Sequence, residues 1–234
     1  LEVRDRIPAT MGNELWYNRQ QTTSDKTHQV HQSSSESIRL SLSSFAVFRF
    51  MINDSRREKT MPELLAPAGT LEKLTFAIDY GADAVYAGGP AFGMRAFAGN
   101  FNLDELAQGI SYAHRRGKRV YITVNIIPHN DDLEGLPEYI ATLRDISADA
   151  IILSDPAVLQ VARDVAPRME LHLSTQANAV NWQSVRFWQG QGIRRVILAR
   201  ELSLDEIALI RAKSPGVELE VFVHGAMCVS YSGR

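Results

Sequence analysis

The stretch DAIILSDPAVLQVARDVAPRMELHLST, residues 149–175, holds one complete architectural unit. Its first apolar run, Ala150 to Leu153, has no polar residue on either face, as a strand covered on both sides requires. Asp155 then offers a side-chain oxygen to the N-terminus of a helix. Pro156 suits the first helical position, where its missing N–H would be unsatisfied anyway. The helical spacing ends at Pro167, and a second apolar run, ELHLST at 170–175, follows at once. Strand, helix and strand in this order form a βαβ unit.

The same alternation extends in both directions. Further strand-like runs are ELLAP at 63–67, DAVYAGG at 83–89, RVYITVN at 119–125, RVILAR at 195–200 and LEVFVHG at 219–225. Between them, Leu103, Leu106, Ile110 and Ala113 make a helical stripe that Gly117 ends. Ser203 with Glu206 reads as a capping box, and Pro215-Gly216 closes the helix it opens.

Seven strands alternating with six helices allow either a doubly wound sheet or a (β/α)8 barrel. The first strand is followed by APAGTLEK, with one glycine and no dinucleotide fingerprint. Polar or special residues close nearly every strand: Gly88, Asn125, Asp155, Ser174 with Gln176, Arg200 with Glu201, and His224. Functional groups spread over many strand ends suit the catalytic face of a barrel. The fold class expected is therefore α/β, an incomplete TIM-like (β/α)8 barrel over residues 61–234. That span is short of the roughly 250 residues typical of the fold. An eighth strand is missing from the pattern, so two open sheet edges are expected.

Residues 1–60 read differently. NRQQTTSDKTHQVHQSSSES has almost nothing to bury, and chain entropy should dominate there. SIRLSLSSFAVFRFMI then alternates at Ile38, Leu40 and Leu42 and reads as a strand or hairpin with no obvious partner. The expectation is a poorly ordered low-complexity extension, with Met61 looking like a natural start.

The 234 residues are 45% apolar and 22% charged, enough for a sizeable core. A net charge of −2 gives no global case for a nucleic-acid binder, although a local basic patch would suffice. One cysteine excludes an intrachain disulfide framework, and no run of 18 apolar residues occurs. A cytoplasmic protein with no membrane partner is the expectation. HExxH, Walker and GxSxG motifs do not occur.

Candidate chemistry gathers at the strand ends. Asn125 is a loop-fixing hydrogen bonder or a substrate contact. His129, two residues before Asp131, is half of a site pair or, as the loop position favours, a solvated loop histidine. LSTQANAVNW places Ser174, Gln176, Asn178 and Asn181 in one uncharged loop, suited to reading a heteroaromatic base or a peptide, or to capping the next helix. Arg200 is an anion fork or one half of a rim ion pair with Glu201. Arg95 lies in the glycine-rich loop after the second strand of the pattern, AGGPAFGMRAFAGN, as a cation at the barrel mouth. His224 stands four residues before Cys228, a weak hint of a thiol nucleophile.

EVFVHGAMCVSYSGR, residues 220–234, and PELLAPAGTLEKLTFAIDYGADAVYAGG, residues 62–89, are similar to signatures of the collagenase-like peptidase family. VNIIPHND, LSTQANAVNWQSVRFW and VILARELSLDEI most resemble its branch that hydroxylates the wobble uridine of tRNA to 5-hydroxyuridine. The likeness covers residues 62–234 and none of 1–60. It implies prephenate as co-substrate, tRNA as partner, and a 4Fe–4S cluster served by iron–sulfur assembly machinery. Cys228 would be one of four thiolate ligands, with a second cysteine due at the position after Arg234. The expectation is thus a piece of a longer protein, with little activity of its own. Among the strand-end and rim residues, His224, Asn125 and Glu201 are the catalytic candidates, and Arg95, Gln176, Asn178 and Arg200 the substrate-binding candidates. The alternatives are a peptidase, as the family's label implies, or a hydroxylation factor for ribosomal RNA or ubiquinone precursors.

Overall fold

Every apolar run identified above forms a strand, bounded within three residues of its expected limits. The computed structural model describes residues 62–93 and 101–225, and the backbone of 47–48. By contact the chain divides into Leu1–Ser41 and Leu42–Arg234, and the described residues all belong to the second unit.

The strands are β1 (Val47–Phe48), β2 (Leu64–Ala68), β3 (Ala84–Gly88), β4 (Arg119–Val124), β5 (Ala150–Leu153), β6 (Glu170–Leu173), β7 (Arg195–Ile197) and β8 (Glu218–Phe222). The helices between β2 and β8 are α1 (Leu71–Asp79), α2 (Leu103–His114), α3 (Leu136–Asp145), α4 (Pro156–Val165), α5 (Trp182–Gly190) and α6 (Leu204–Lys213). Strands β2 to β8 pair in sequence order and all in parallel. Seven parallel strands and six helices are what the sequence pattern requires.

The sheet edges differ from expectation. Val47–Phe48 pairs antiparallel with β2 on one side and with β8 on the other, and so closes the barrel. The segment expected to lack a partner has two. The physical reason is the demand of the edges: β2 and β8 would each present unpaired N–H and C=O groups, and a short crossing strand satisfies both.

Helix starts follow their capping residues. Asp155 accepts from Ala157 N–H at 2.7 Å, and Pro156 opens α4. Ser203 and Glu206 form the reciprocal capping box of α6, and Asn102 with Glu105 forms another at α2. Leu106, Ile110 and Ala113 of α2 are buried against the sheet, each large side chain contributing about 1.5–3 kcal/mol. Leu103, expected in the same stripe, is the first residue of the helix and is exposed. Gly117, at φ 67, takes the left-handed conformation that ends α2.

Apolar residues fill two regions. The larger lies between helices and sheet, and a smaller one, of Leu65, Ala84, Tyr121, Ala150, Ile152 and Ile197, lies within the barrel. Side chains alternate along a strand, so the inner parity extends in both directions from these residues. On β4 it runs Arg119, Tyr121, Thr123, Asn125; on β6 it runs Glu170, His172, Ser174, and in the loop beyond it Gln176; on β8 it runs Glu218, Glu220, Phe222. The barrel axis therefore passes from a charged floor, through an apolar waist, to a neutral polar mouth.

Candidate functional site at the barrel mouth

The mouth is built where β4, β5 and β6 end. Asn125 follows β4 directly, and its Nδ2 donates to Gln176 Oε1 at 2.5 Å. Gln176 lies in a short 3-10 turn, Thr175–Ala177, that begins as β6 ends. Ser174 is buried; its Oγ accepts from Gln176 N–H at 3.3 Å and donates to Gln176 Oε1 at 3.4 Å. Ser154, at the end of β5, donates from Oγ to the Asn125 carbonyl at 3.4 Å. Three neighbouring strand ends thus share one network of amides and hydroxyls without a charge in it.

Asn178 follows in the left-handed conformation at φ 51, and its Oδ1 is buried without a hydrogen-bond partner. Asn181 accepts from Ser184 N–H at 2.9 Å and caps α5, so its amide serves the helix. Asp155 is likewise committed to its cap. Arg200 and Glu201 form a turn beyond β7, and the Arg200 guanidinium lies 5.5 Å from the centre of the Phe222 ring. His224 is exposed just beyond β8, and His129 is exposed after β4. The structure therefore brings Asn125 and Gln176 together and places Arg200, Glu201 and His224 at the same end of the barrel. Arg95 and Cys228 lie outside the described residues.

The described start of the loop after β3, residues 89–93, lies against the end of β4. Ile126 N–H donates to the Phe92 carbonyl at 3.1 Å, and Phe92 packs on Tyr139 with ring centres 5.2 Å apart. Burial holds the Tyr139 hydroxyl well above its ordinary pKa, and the group has no hydrogen-bond partner. Gly89 is the contact that fixes this loop. A Cβ there would land on Tyr139 Oη and 3.1 Å from its Cζ. Gly89→Ala should cost about 1–3 kcal/mol in a urea melt. Tyr139→Phe should recover most of that loss, since it removes the colliding, unpaired oxygen. Equal losses in the single and double variants would contradict the contact.

The charged floor went unrecognised in the sequence. Arg195 is fully buried, with Nη1 2.7 Å from Glu63 Oε1 and 3.4 Å from Glu220 Oε2, and Nε donating to Glu218 Oε2 at 3.0 Å. Glu63 also pairs with Arg119 and accepts from Tyr121 Oη. Burial opposes the charge on Arg195, but Tyr121, Glu220 and Glu218 outweigh it and raise its pKa. His172 stands edge-on to Tyr121 with ring centres 4.7 Å apart. Burial lowers its pKa from 6.5 to about 4, against the Glu170 hydrogen bond, so the ring is neutral. Its Nε2–H reaches Glu170 Oε1 at 3.3 Å, and Nδ1 is left unpaired. One signal was present: these residues share parity with the strand-end residues chosen as site candidates. This floor is opposite the catalytic end of a barrel and belongs to stability.

Two histidines have side-chain bonds among the described residues, His172 to Glu170 and His114 to Asp149, and both bonds are to carboxylates rather than to a nucleophile. No helix of the described residues is long and apolar enough to cross a membrane.

Comparison with known proteins agrees with this architecture. A family model described as peptidase family U32 matches residues 69–234. The tRNA hydroxylation protein P of Escherichia coli is 51% identical over 173 residues, 74% of this chain and 38% of that protein. The tRNA hydroxylation protein P1 of Bacillus subtilis is 47% identical over 184 residues, 79% of this chain and 43% of its own length. The E. coli 23S rRNA 5-hydroxycytidine C2501 synthase is 41% identical over 172 residues, 74% of this chain and 26% of the relative. The chain thus spans about two fifths of the first two. The structure of the U32 peptidase Mk0906 superposes with a TM-score of 0.58 at 15% identity, over 72% of this chain and 71% of the other, which shows the shared fold. By matched residues and by relatives alike, the chain belongs to peptidase family U32, the collagenase-like family whose signatures it carries.

Proposed function

We propose that this chain is the substrate-binding barrel of an RNA hydroxylation protein, acting on the wobble uridine of tRNA with prephenate as co-substrate. One observation carries the reading. Asn125, Ser154, Ser174 and Gln176 form a neutral, hydrogen-bonding rim at the catalytic end of the barrel. Such a rim suits a base edge, which offers donors and acceptors but no charge. The printed names of the relatives point the same way, two to tRNA hydroxylation and one to hydroxycytidine in ribosomal RNA. Arg200, half-buried beside Phe222, is a suitable fork for a phosphate or for a carboxylate of prephenate, with Arg95 as the second cation. A cytoplasmic location follows from a tRNA substrate.

The residues present do not make a 4Fe–4S site. The chain has one cysteine, Cys228, and among the described residues no group of three or more His, Cys, Asp or Glu could hold a metal. A cluster would therefore draw its other thiolates from beyond this sequence. What this chain contributes is binding and orientation of the nucleotide.

The test is Asn125→Ala in a protein that includes this chain, read as 5-hydroxyuridine per tRNA by nucleoside mass spectrometry. Losing the bond that fixes Gln176 should lower the modification about tenfold, the upper range for one neutral hydrogen bond. Unchanged modification in the folded variant would contradict the assignment.

A further inference from the structure

Resting on the RNA reading above, we infer that Gln176 is the base-selecting residue and that it favours a pyrimidine bearing a C4 carbonyl, a uridine, over one bearing a C4 amino group, a cytidine. The orientation of its amide is dictated by its neighbours. Oε1 accepts from Asn125 Nδ2 at 2.5 Å and from Ser174 Oγ at 3.4 Å. Ser174 Oγ already accepts from the Gln176 backbone N–H at 3.3 Å, so its one hydrogen is directed to Oε1. Turning this amide alone would set NH2 against NH2 at Asn125; turning both amides together would keep that bond but strand the Ser174 hydrogen, so the Ser174 hydroxyl fixes the direction of the pair.

Gln176 therefore keeps its oxygen engaged inside the rim. Its Nε2 makes no hydrogen bond among the described residues, and the residue is only half-buried. Two N–H donors are thus available at the mouth. Uracil O4 accepts such a donor, whereas the cytosine N4 amino group is itself a donor and would leave both groups unpaired. Asn125 is a positioning residue in this scheme. It acts on the base only through the direction in which it holds Gln176.

The test uses two RNA stem-loops identical except for one unpaired loop pyrimidine, uridine or cytidine. Binding to the chain is measured by fluorescence anisotropy at one fixed salt concentration. The native chain should prefer the uridine loop about tenfold. Gln176→Glu replaces the donor with an acceptor and should reverse or abolish the preference. Asn125→Asp should do the same by a different route: a carboxylate there draws Nε2 inward and turns Oε1 to the mouth. The added charge weakens binding to both loops, so the ratio is the readout, and unfolding midpoints confirm that both variants fold. A uridine preference unchanged in both folded variants, or equal loss for both loops with the ratio preserved, overturns the role of Gln176 and leaves the RNA reading standing. Binding of the native chain to neither stem-loop overturns the RNA reading and this assignment together.

Discussion

Replacing Arg195 by methionine should destabilise the barrel by about 3–5 kcal/mol, the range for breaking a buried ion network by removing one partner. The cost comes from what is left behind. Glu63 and Glu220 are nearly inaccessible, and Glu218 is mostly covered. Without the guanidinium, Glu63 keeps Arg119, while Glu218 loses its 3.0 Å bond and keeps a longer, 3.7 Å approach from Arg194. Methionine fills the volume but compensates no charge. The urea midpoint should fall with little change in the slope, because the surface exposed on unfolding is nearly the same. Arg194→Met is the matched control. Arg194 is 58% exposed and makes the longer contact, so its loss should stay within about 0.5 kcal/mol. Equal small effects for both variants would mean that the floor does not hold the barrel together.

Acid should weaken the same region through His172. Above its ordinary pKa of 6.5 the ring is neutral whether folded or unfolded, and it contributes no pH dependence. As pH falls below 6.5 the unfolded chain takes up a proton that the folded chain refuses until about 4. Stability therefore falls across that window and levels off beneath it, by about 3 kcal/mol in total. The groups facing the ring are Glu170, Tyr121, Arg195 and Glu218. Glu170 adds to the acid loss: its hydrogen bond to His172 lowers its pKa, so folded-state stability is given up as it too is protonated. His172→Phe keeps a ring beside Tyr121 but cannot titrate, so its stability should be nearly flat from pH 6.5 to the region where carboxylates protonate. An unaltered acid slope in that variant would assign the effect to other groups.

Why the architecture was legible and the network was not follows from the range of each signal. Strands and helices are short-range patterns. Asp155-Pro156 and Ser203 with Glu206 mark helix starts within four residues, and each apolar run delimits its own strand. The Asn125–Gln176 bond spans 51 positions and the Glu63–Arg195 pair spans 132, distances at which no local pattern carries information. Parity offered a partial bridge. Asn125 and Arg119 lie on one face of β4, so choosing the first as inward-facing already implied the second. β1 is two residues long and has no period to read; only the edges of β2 and β8 define it. Asp155, read as a helix cap, and Asn181, for which capping was one of two readings, both give their oxygens to helix termini.

The proposed function requires RNA to enter at the strand carboxyl ends. Photocrosslinking from a 4-thiouridine placed in the loop of an RNA stem-loop tests it directly, with the attached peptide identified by mass spectrometry. The predicted crosslinks fall in the segments around Asn125 and Gln176. Crosslinks confined to the opposite end, around Arg119, Arg194 and the turns that precede β4 and β7, would contradict it.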